Sequence, residues 1–169
     1  MIRLYNARIM PMLRQNDCSI TEGELWTEGE RICYVGPETP ERPAFEREID
    51  LHGDLIVPGF KDAHTHIPMV FLRSFADGLP LQDWLFQQIF PREAKLYPEA
   101  VYAFTRLGIL ELLSDGVTAC FDMYYHRDAY VQAVIDSGFR SVLCGAVAAG
   151  DADWSVAERD FEKYNSMGP

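Results

Sequence analysis

The sequence is short of cysteine. Four thiols in 169 residues, Cys18, Cys33, Cys120 and Cys144, include no pair at C-x-x-C spacing. That excludes a zinc knuckle and a thioredoxin-like redox pair, and four scattered thiols make no disulfide framework. They are read as reduced and mostly buried. Basic residues are scarce as well: 15 Lys and Arg stand against 26 Asp and Glu, for a formal net charge of −11, and no cationic cluster occurs. A surface that tracks phosphates is excluded, and nucleic acid with it as a partner. Long hydrophobic runs are missing. No stretch approaches the roughly 18 apolar residues of a membrane span. The opening MIRLYNARIMPML lacks the unbroken apolar centre and small-residue cleavage site of a secretory leader. A soluble, cytoplasmic protein with no membrane partner is expected.

What is present is ordinary globular material. At 48% hydrophobic the chain can bury one core. Its first part reads as short strands and turns: IRLYNARIM is β-rich, and GELWTEGERICYVGP reads as two strands joined around Glu28-Gly29-Glu30. A Pro/Glu-rich connector, PETPERPAFERE, follows before IDLHGDLIVPGF regains strand character. From there strands alternate with helices. LIVPGFKDAH is apolar enough for a buried strand, VTACFDMYY for a second and FRSVLCGAVAAG for a third. Between them LPLQDWLFQQIF, PEAVYAFTRLGILELLSDG and RDAYVQAVIDSG read as helices, and DWSVAERDFEKYN as one after the third. Pro98 suits a first helical turn and Gly116 a position just past the end. Val101, Phe104, Leu107, Leu110 and Leu113 form the expected apolar stripe, and Ser155 with Glu158 a capping box. Repeated βα units imply an α/β fold with a parallel sheet.

The chemistry gathers in IVPGFKDAHTHIPMV, residues 56–70. Residues i and i+2 of a strand share a face, so His64 and His66 project together while Thr65 faces away. Two neighbouring imidazoles suit a divalent metal, but a hydrolytic zinc site takes three protein ligands and a water. His52 and His126 are the remaining histidines, and Asp62 and Asp122 are carboxylates on the same strands. Asp122 is read either as a pocket carboxylate or as a residue that holds a strand end. His126 is read as a pocket neighbour or a solvent-facing side chain, and Arg73 as the anchor of the loop after the first of these strands.

Pro58, Gly59, Asp62, His64 and His66 match the P-G-x-x-D-x-H-x-H pattern on the first barrel strand of the amidohydrolase superfamily, which the chain resembles. The continuation HTHIPMVFLRSFADGLPLQDWL is similar to the branch holding methylthioadenosine/S-adenosylhomocysteine deaminases and chlorohydrolase-like enzymes. The resemblance implies the first three βα units of a TIM-type (β/α)8 barrel over 56–169, preceded by a small β-sandwich segment over 1–55. It implies Zn²⁺, with Fe²⁺ as the alternative ion, on His64 and His66, where the metal lowers the pKa of a bound water to about 7. It also implies Trp84 and Glu93 as substrate-binding residues, the first stacking a purine and the second facing ribose hydroxyls. Near Gly145, where such deaminases carry an arginine, this sequence departs, which weakens recognition of an amino-acid carboxylate.

The expected activity is hydrolytic deamination of a small molecule, an adenosine-like nucleoside or other amino-substituted heterocycle. A chlorohydrolase, a guanine-type deaminase and a non-catalytic metal-binding or interaction fragment are the alternatives. The family's later metal ligands and proton shuttle have no counterpart here, so no catalytic residue is assigned, a C-terminal barrel segment is the expected missing partner, and the 169 residues alone are expected to be inactive. A homo-oligomer stays open.

Overall fold

The structure, a computed structural model, describes residues 1–14, 17–145 and 154–166. Its contacts divide the chain into two units, Met1–Pro58 and Gly59–Pro169.

The first unit is organised on β1 (Ile2–Ile9). The hairpin partner β2 (Thr21–Glu28) lies antiparallel to it, and β3 (Arg31–Gly36) lies antiparallel to β2. The turn between them rests on Gly29 at φ +57°, a conformation natural to glycine. On the other edge of β1, β4 (Arg47–Asp50) and β5 (Leu55–Ile56) both run parallel to it. One five-stranded sheet results, and no second sheet faces it among the described residues of this unit. Ala7, Ile9 and Leu25 form its small core, with Leu4, Leu51 and Ile56 packed on them. Arg3 is buried beside it, paired with the fully buried Glu24 and, at 2.7 Å, with Glu48, while its guanidinium lies 4.4 Å from the Tyr5 ring centre. Each carboxylate offsets the desolvation of the buried cation.

The second unit carries the parallel strands β6 (Phe60–Thr65), β7 (Val117–Asp122) and β8 (Arg140–Leu143), in that spatial order. Parallel neighbours need a crossover, and helices provide it: α1 (81–93) and α2 (Pro98–Ser114) lie between β6 and β7, α3 (Arg127–Ser137) lies between β7 and β8, and α4 (Ser155–Asn165) follows β8. Ile67, Val101, Ile109, Cys120, Tyr124, Tyr130, Phe139 and Leu143 build the core between sheet and helices. No described helix is long and apolar enough to cross a membrane.

Several expectations are corrected. LIVPGFKDAH is two strands rather than one: Leu55–Ile56 belongs to the first unit's sheet and Phe60–Thr65 to the second's. Val57-Pro58-Gly59 separates them, since proline has no N–H for a ladder. Nor is β6 buried, with Phe60 62% exposed. The continuation of the third strand beyond Gly145 lies outside the described residues. On α2 the buried face is Val101, Thr105, Gly108 and Ile109, whereas Leu107, Leu110 and Leu113 are exposed. Gly108 sets that rotation: a Cβ there would lie 2.6 Å from Ile67 Cγ2, so only glycine lets the helix approach the 3₁₀ turn Ile67–Leu72. Pro98 opens α2 and Gly116, at φ +81°, follows its end. The N-cap of α4 is Trp154, with no side-chain cap bond, so Ser155 lies in the first turn rather than at the cap position expected for it. All four cysteines are free, but only Cys120 is buried, and Cys18 and Cys33 are exposed.

Candidate functional site

The histidine pair sits where the β6–β7 ladder is irregular. Its register steps from Asp62 opposite Cys120 to Thr65 opposite Asp122, three residues of β6 against two of β7. A bulge of this kind re-aims side chains at a strand end. Asp62 supports it locally by accepting the His64 N–H on Oδ1 at 3.1 Å. The two imidazoles come together with ring centres 5.0 Å apart and planes at 79°.

His66 is held by its own ring. Nδ1 lies 2.8 Å from the Met123 carbonyl oxygen, which can only accept, so Nδ1 donates, and in the neutral ring it is Nε2 that carries the lone pair. This is the arrangement that orients a metal-binding imidazole. Neutral imidazole nitrogen is a good ligand for Zn²⁺, and the pair fits as part of such a site. Among the described residues no third His, Cys, Asp or Glu joins them in a metal-holding group.

Beside the pair, Asp122 is fully buried. Its Oδ2 accepts from Thr65 Oγ1 at 2.6 Å and from the Ile67 N–H at 2.8 Å, while Oδ1 is buried with no hydrogen-bond partner. Burial pushes this carboxyl above the usual carboxylate range, against the opposing pull of Thr65 and Ile67.

From Asp122 the chain runs on through Tyr124 to a second feature, a cleft of about 500 Å³ lined by Phe90, Glu93, Ala94, Leu96, Tyr125 and His126. Glu93 is buried at the end of α1. Tyr124, also buried, makes no hydrogen bond of good geometry, but burial and the neighbouring Glu93 carboxylate push its phenol above the usual range. His126, left-handed at φ 50°, donates from Nε2 to the Leu96 carbonyl oxygen at 3.1 Å. Trp84 is half-buried and lies at the start of a π-helical segment, Trp84–Ile89, within α1; it is not among the cleft-lining residues. There Phe90 donates to the Leu85 carbonyl, five residues back, just before Pro91, which has no N–H to give.

The structure thus brings His64 and His66 together and places Glu93 in a cleft, with Trp84 on the same helix. His52 lies in a turn of the other unit, its N–H bonded to Asp50. Arg73 pairs with Glu111 of α2, which ties down the turn after β6. The Met123 carbonyl and Tyr124 were not singled out from the sequence. A backbone acceptor leaves no sequence signal, and Tyr124 reads as strand filler until the pairing register is known.

Residues 55–164 match the amidohydrolase family. The chain is 42% identical over 140 residues to a 5-methylthioadenosine/S-adenosylhomocysteine deaminase of Thermococcus kodakarensis, covering 82% of this chain and 32% of that protein. It is 44% identical over 150 residues to 5-methylthioadenosine/S-adenosylhomocysteine deaminase 2 of Archaeoglobus fulgidus, covering 85% and 35%. The chain therefore spans about a third of the length of the curated relatives it matches. Among solved structures, an adenosine deaminase from Xanthomonas campestris with bound zinc superposes at a TM-score of 0.80 and 27% identity, covering 98% of this chain and 38% of that one. The zinc complex of atrazine chlorohydrolase TrzN from Arthrobacter aurescens gives 0.75 at 21% identity, covering 90% and 38%, a likeness of fold.

Proposed function

This chain belongs to the amidohydrolase family, and on that premise we propose that it forms part of a metal-dependent aminohydrolase acting on an adenosine-like nucleoside. The observation that carries the reading is the His66–Met123 bond, which leaves Nε2 of His66 free beside His64. In this reading β6, β7 and β8 with their helices are the first three βα units of a (β/α)8 barrel, and the first unit's sheet belongs to a β-sandwich. The C-terminal ends of such strands are where barrels carry their chemistry, and both histidines stand at that end of β6.

His64 and His66 would hold a divalent ion, Zn²⁺ before Fe²⁺, with further ligands from outside the described residues. Such an ion supplies Lewis acidity that activates water for attack on an electron-poor ring carbon. The chain's own residues bind and orient. Met123 fixes the His66 tautomer, Asp122 holds the Thr65 hydroxyl and the Ile67 N–H on either side of it, and Glu93 accepts hydroxyl hydrogen bonds from the sugar in a cleft walled by Phe90 and Tyr125. Trp84 offers a stacking face for the base. Net reaction replaces the exocyclic amine by a carbonyl oxygen from water and releases ammonia. The deaminases among the relatives support that reaction class.

The test is product release by the intact protein on a panel of adenosine, 5′-methylthioadenosine, guanine and a chlorinated triazine. Ammonia from the adenine nucleosides with little from guanine supports the reading. Chloride from the triazine with no ammonia from any nucleoside contradicts it.

A further inference from the structure

Two hydrogen bonds around the histidine pair end on one atom. Asp122 Oδ2 accepts from Thr65 Oγ1 at 2.6 Å and from the Ile67 N–H at 2.8 Å, the two residues flanking His66. Met123, next in the chain, takes the Nδ1–H of His66 at 2.8 Å and gives its own N–H to the Thr65 carbonyl at 3.3 Å. Segment 65–67 is therefore tied to 122–123 at the point where the β6–β7 register has just slipped. A regular ladder would fix side-chain direction by alternation, but a bulge gives that up. Something else must fix it. Burying a carboxylate is unfavourable unless its hydrogen bonds compensate, and Asp122, with Oδ1 unpartnered, is compensated on one oxygen only. Packing alone would be better served by an apolar residue.

We propose that Asp122 is the positioning residue of the histidine pair: by fixing Thr65 and Ile67 it sets the backbone that holds His66 against Met123 and presents Nε2 beside His64. The consequence for metal binding rests on the reading of the pair as ligands; the positioning itself is a property of the metal-free protein. Because both bonds converge on a single oxygen, an amide oxygen in that place accepts both. Asp122→Asn should therefore preserve the arrangement, and Asp122→Ala should lose it.

The experiment uses the intact protein, ¹⁵N-labelled at histidine and stripped of metal, to read the His66 tautomer by NMR. A chromophoric chelator then competes for Zn²⁺. Wild type and Asp122→Asn are expected to hold the Nδ1–H tautomer and to bind Zn²⁺ within about threefold of each other. Asp122→Ala should mix tautomers and bind Zn²⁺ about 10–100-fold more weakly, the usual effect of losing a ligand's supporting partner. Thr65→Val, which removes one of the two donors, should fall between. A wild-type tautomer and wild-type affinity in Asp122→Ala overturn the proposal. So does Asp122→Asn behaving like Asp122→Ala, because the charge and not the acceptor's position would then matter. If Asp122→Ala does not fold, Thr65→Val decides, and no change in tautomer or affinity there overturns the proposal. A tautomer response in protein that takes up no Zn²⁺ upholds the positioning and overturns only the metal reading.

Discussion

His66 donates its Nδ1–H to the Met123 carbonyl oxygen at 2.8 Å, which joins the end of β6 to the end of β7 through the imidazole itself. The ring is fixed by a backbone atom, so no substitution at position 123 short of proline-like distortion removes the acceptor. Replacing the ring does. His66→Ala or His64→Ala should lower Zn²⁺ affinity of the intact protein by more than the roughly 10–100-fold that losing a supporting partner costs. Metal content after dialysis, read by mass spectrometry, checks it.

Glu93 in the cleft and Trp84 on the same helix should separate binding from folding. Glu93→Gln keeps shape and loses charge, and a hydrogen bond to a charged group is worth about 1.5–3 kcal/mol. A loss of about 10–100-fold in kcat/KM for a nucleoside is expected, with Tm nearly unchanged. Trp84→Ala should cost about 1–3 kcal/mol of stacking with the base. Wild-type kcat/KM in both variants would remove the two residues from the pocket.

Gly108 is where α2 closes on the turn after β6. A methyl group there meets Ile67 Cγ2 at 2.6 Å and the Ile67 carbonyl oxygen at 2.9 Å. Overpacking of that kind costs about 1–3 kcal/mol, so Gly108→Ala should lower Tm by several degrees. Leu110→Gln, on the open face at 62% exposure, should change stability by no more than about 0.5 kcal/mol. Thermal melts of the two variants side by side test the observed rotation of the helix.

That rotation marks where the sequence was legible and where it was not. The H-x-H spacing, three parallel strands and the Pro98 and Gly116 boundaries follow from local rules; α2 runs where those rules put it, while β6 begins only at Phe60 and β7 stops at Asp122, short of Tyr125. The stripe through Phe104, Leu107 and Leu110 followed an i, i+3 pattern that is equally open to an exposed apolar face. Only the close approach at Gly108 decides between the two, and it depends on Ile67, forty-one residues away. Asp122 was legible as a pocket carboxylate or as the holder of a strand end, and nothing local chose between the two, because its partners Thr65 and Ile67 come from the end of β6 and the turn after it through an irregular register. Cys33 looked like a buried thiol and is exposed on β3, an edge strand whose facing partner no local pattern reveals.

In the first unit Arg3 and Glu24 form a buried pair, with side-chain exposures of 4% and 0%. Removing one partner of such a pair strands a charge and costs about 3–5 kcal/mol, whereas replacing both by apolar residues can be neutral. Arg3→Met, which strands the fully buried Glu24, should destabilise strongly in urea; Glu24→Leu leaves Arg3 paired with Glu48 and should cost less, and the double variant should recover most of the Arg3→Met loss. Additive single effects would contradict the account of that pair.

On the proposed reading, His64 and His66 share one metal ion. Crystals of the intact protein loaded with Zn²⁺, measured at the zinc absorption edge, test it most directly. The predicted result is one anomalous peak about 2.0–2.1 Å from Nε2 of His66 and from a ring nitrogen of His64, with the Met123 bond to Nδ1 intact. Zinc bound elsewhere while both rings stay unligated, or His66 ligating through Nδ1 with the Met123 contact broken, would contradict it.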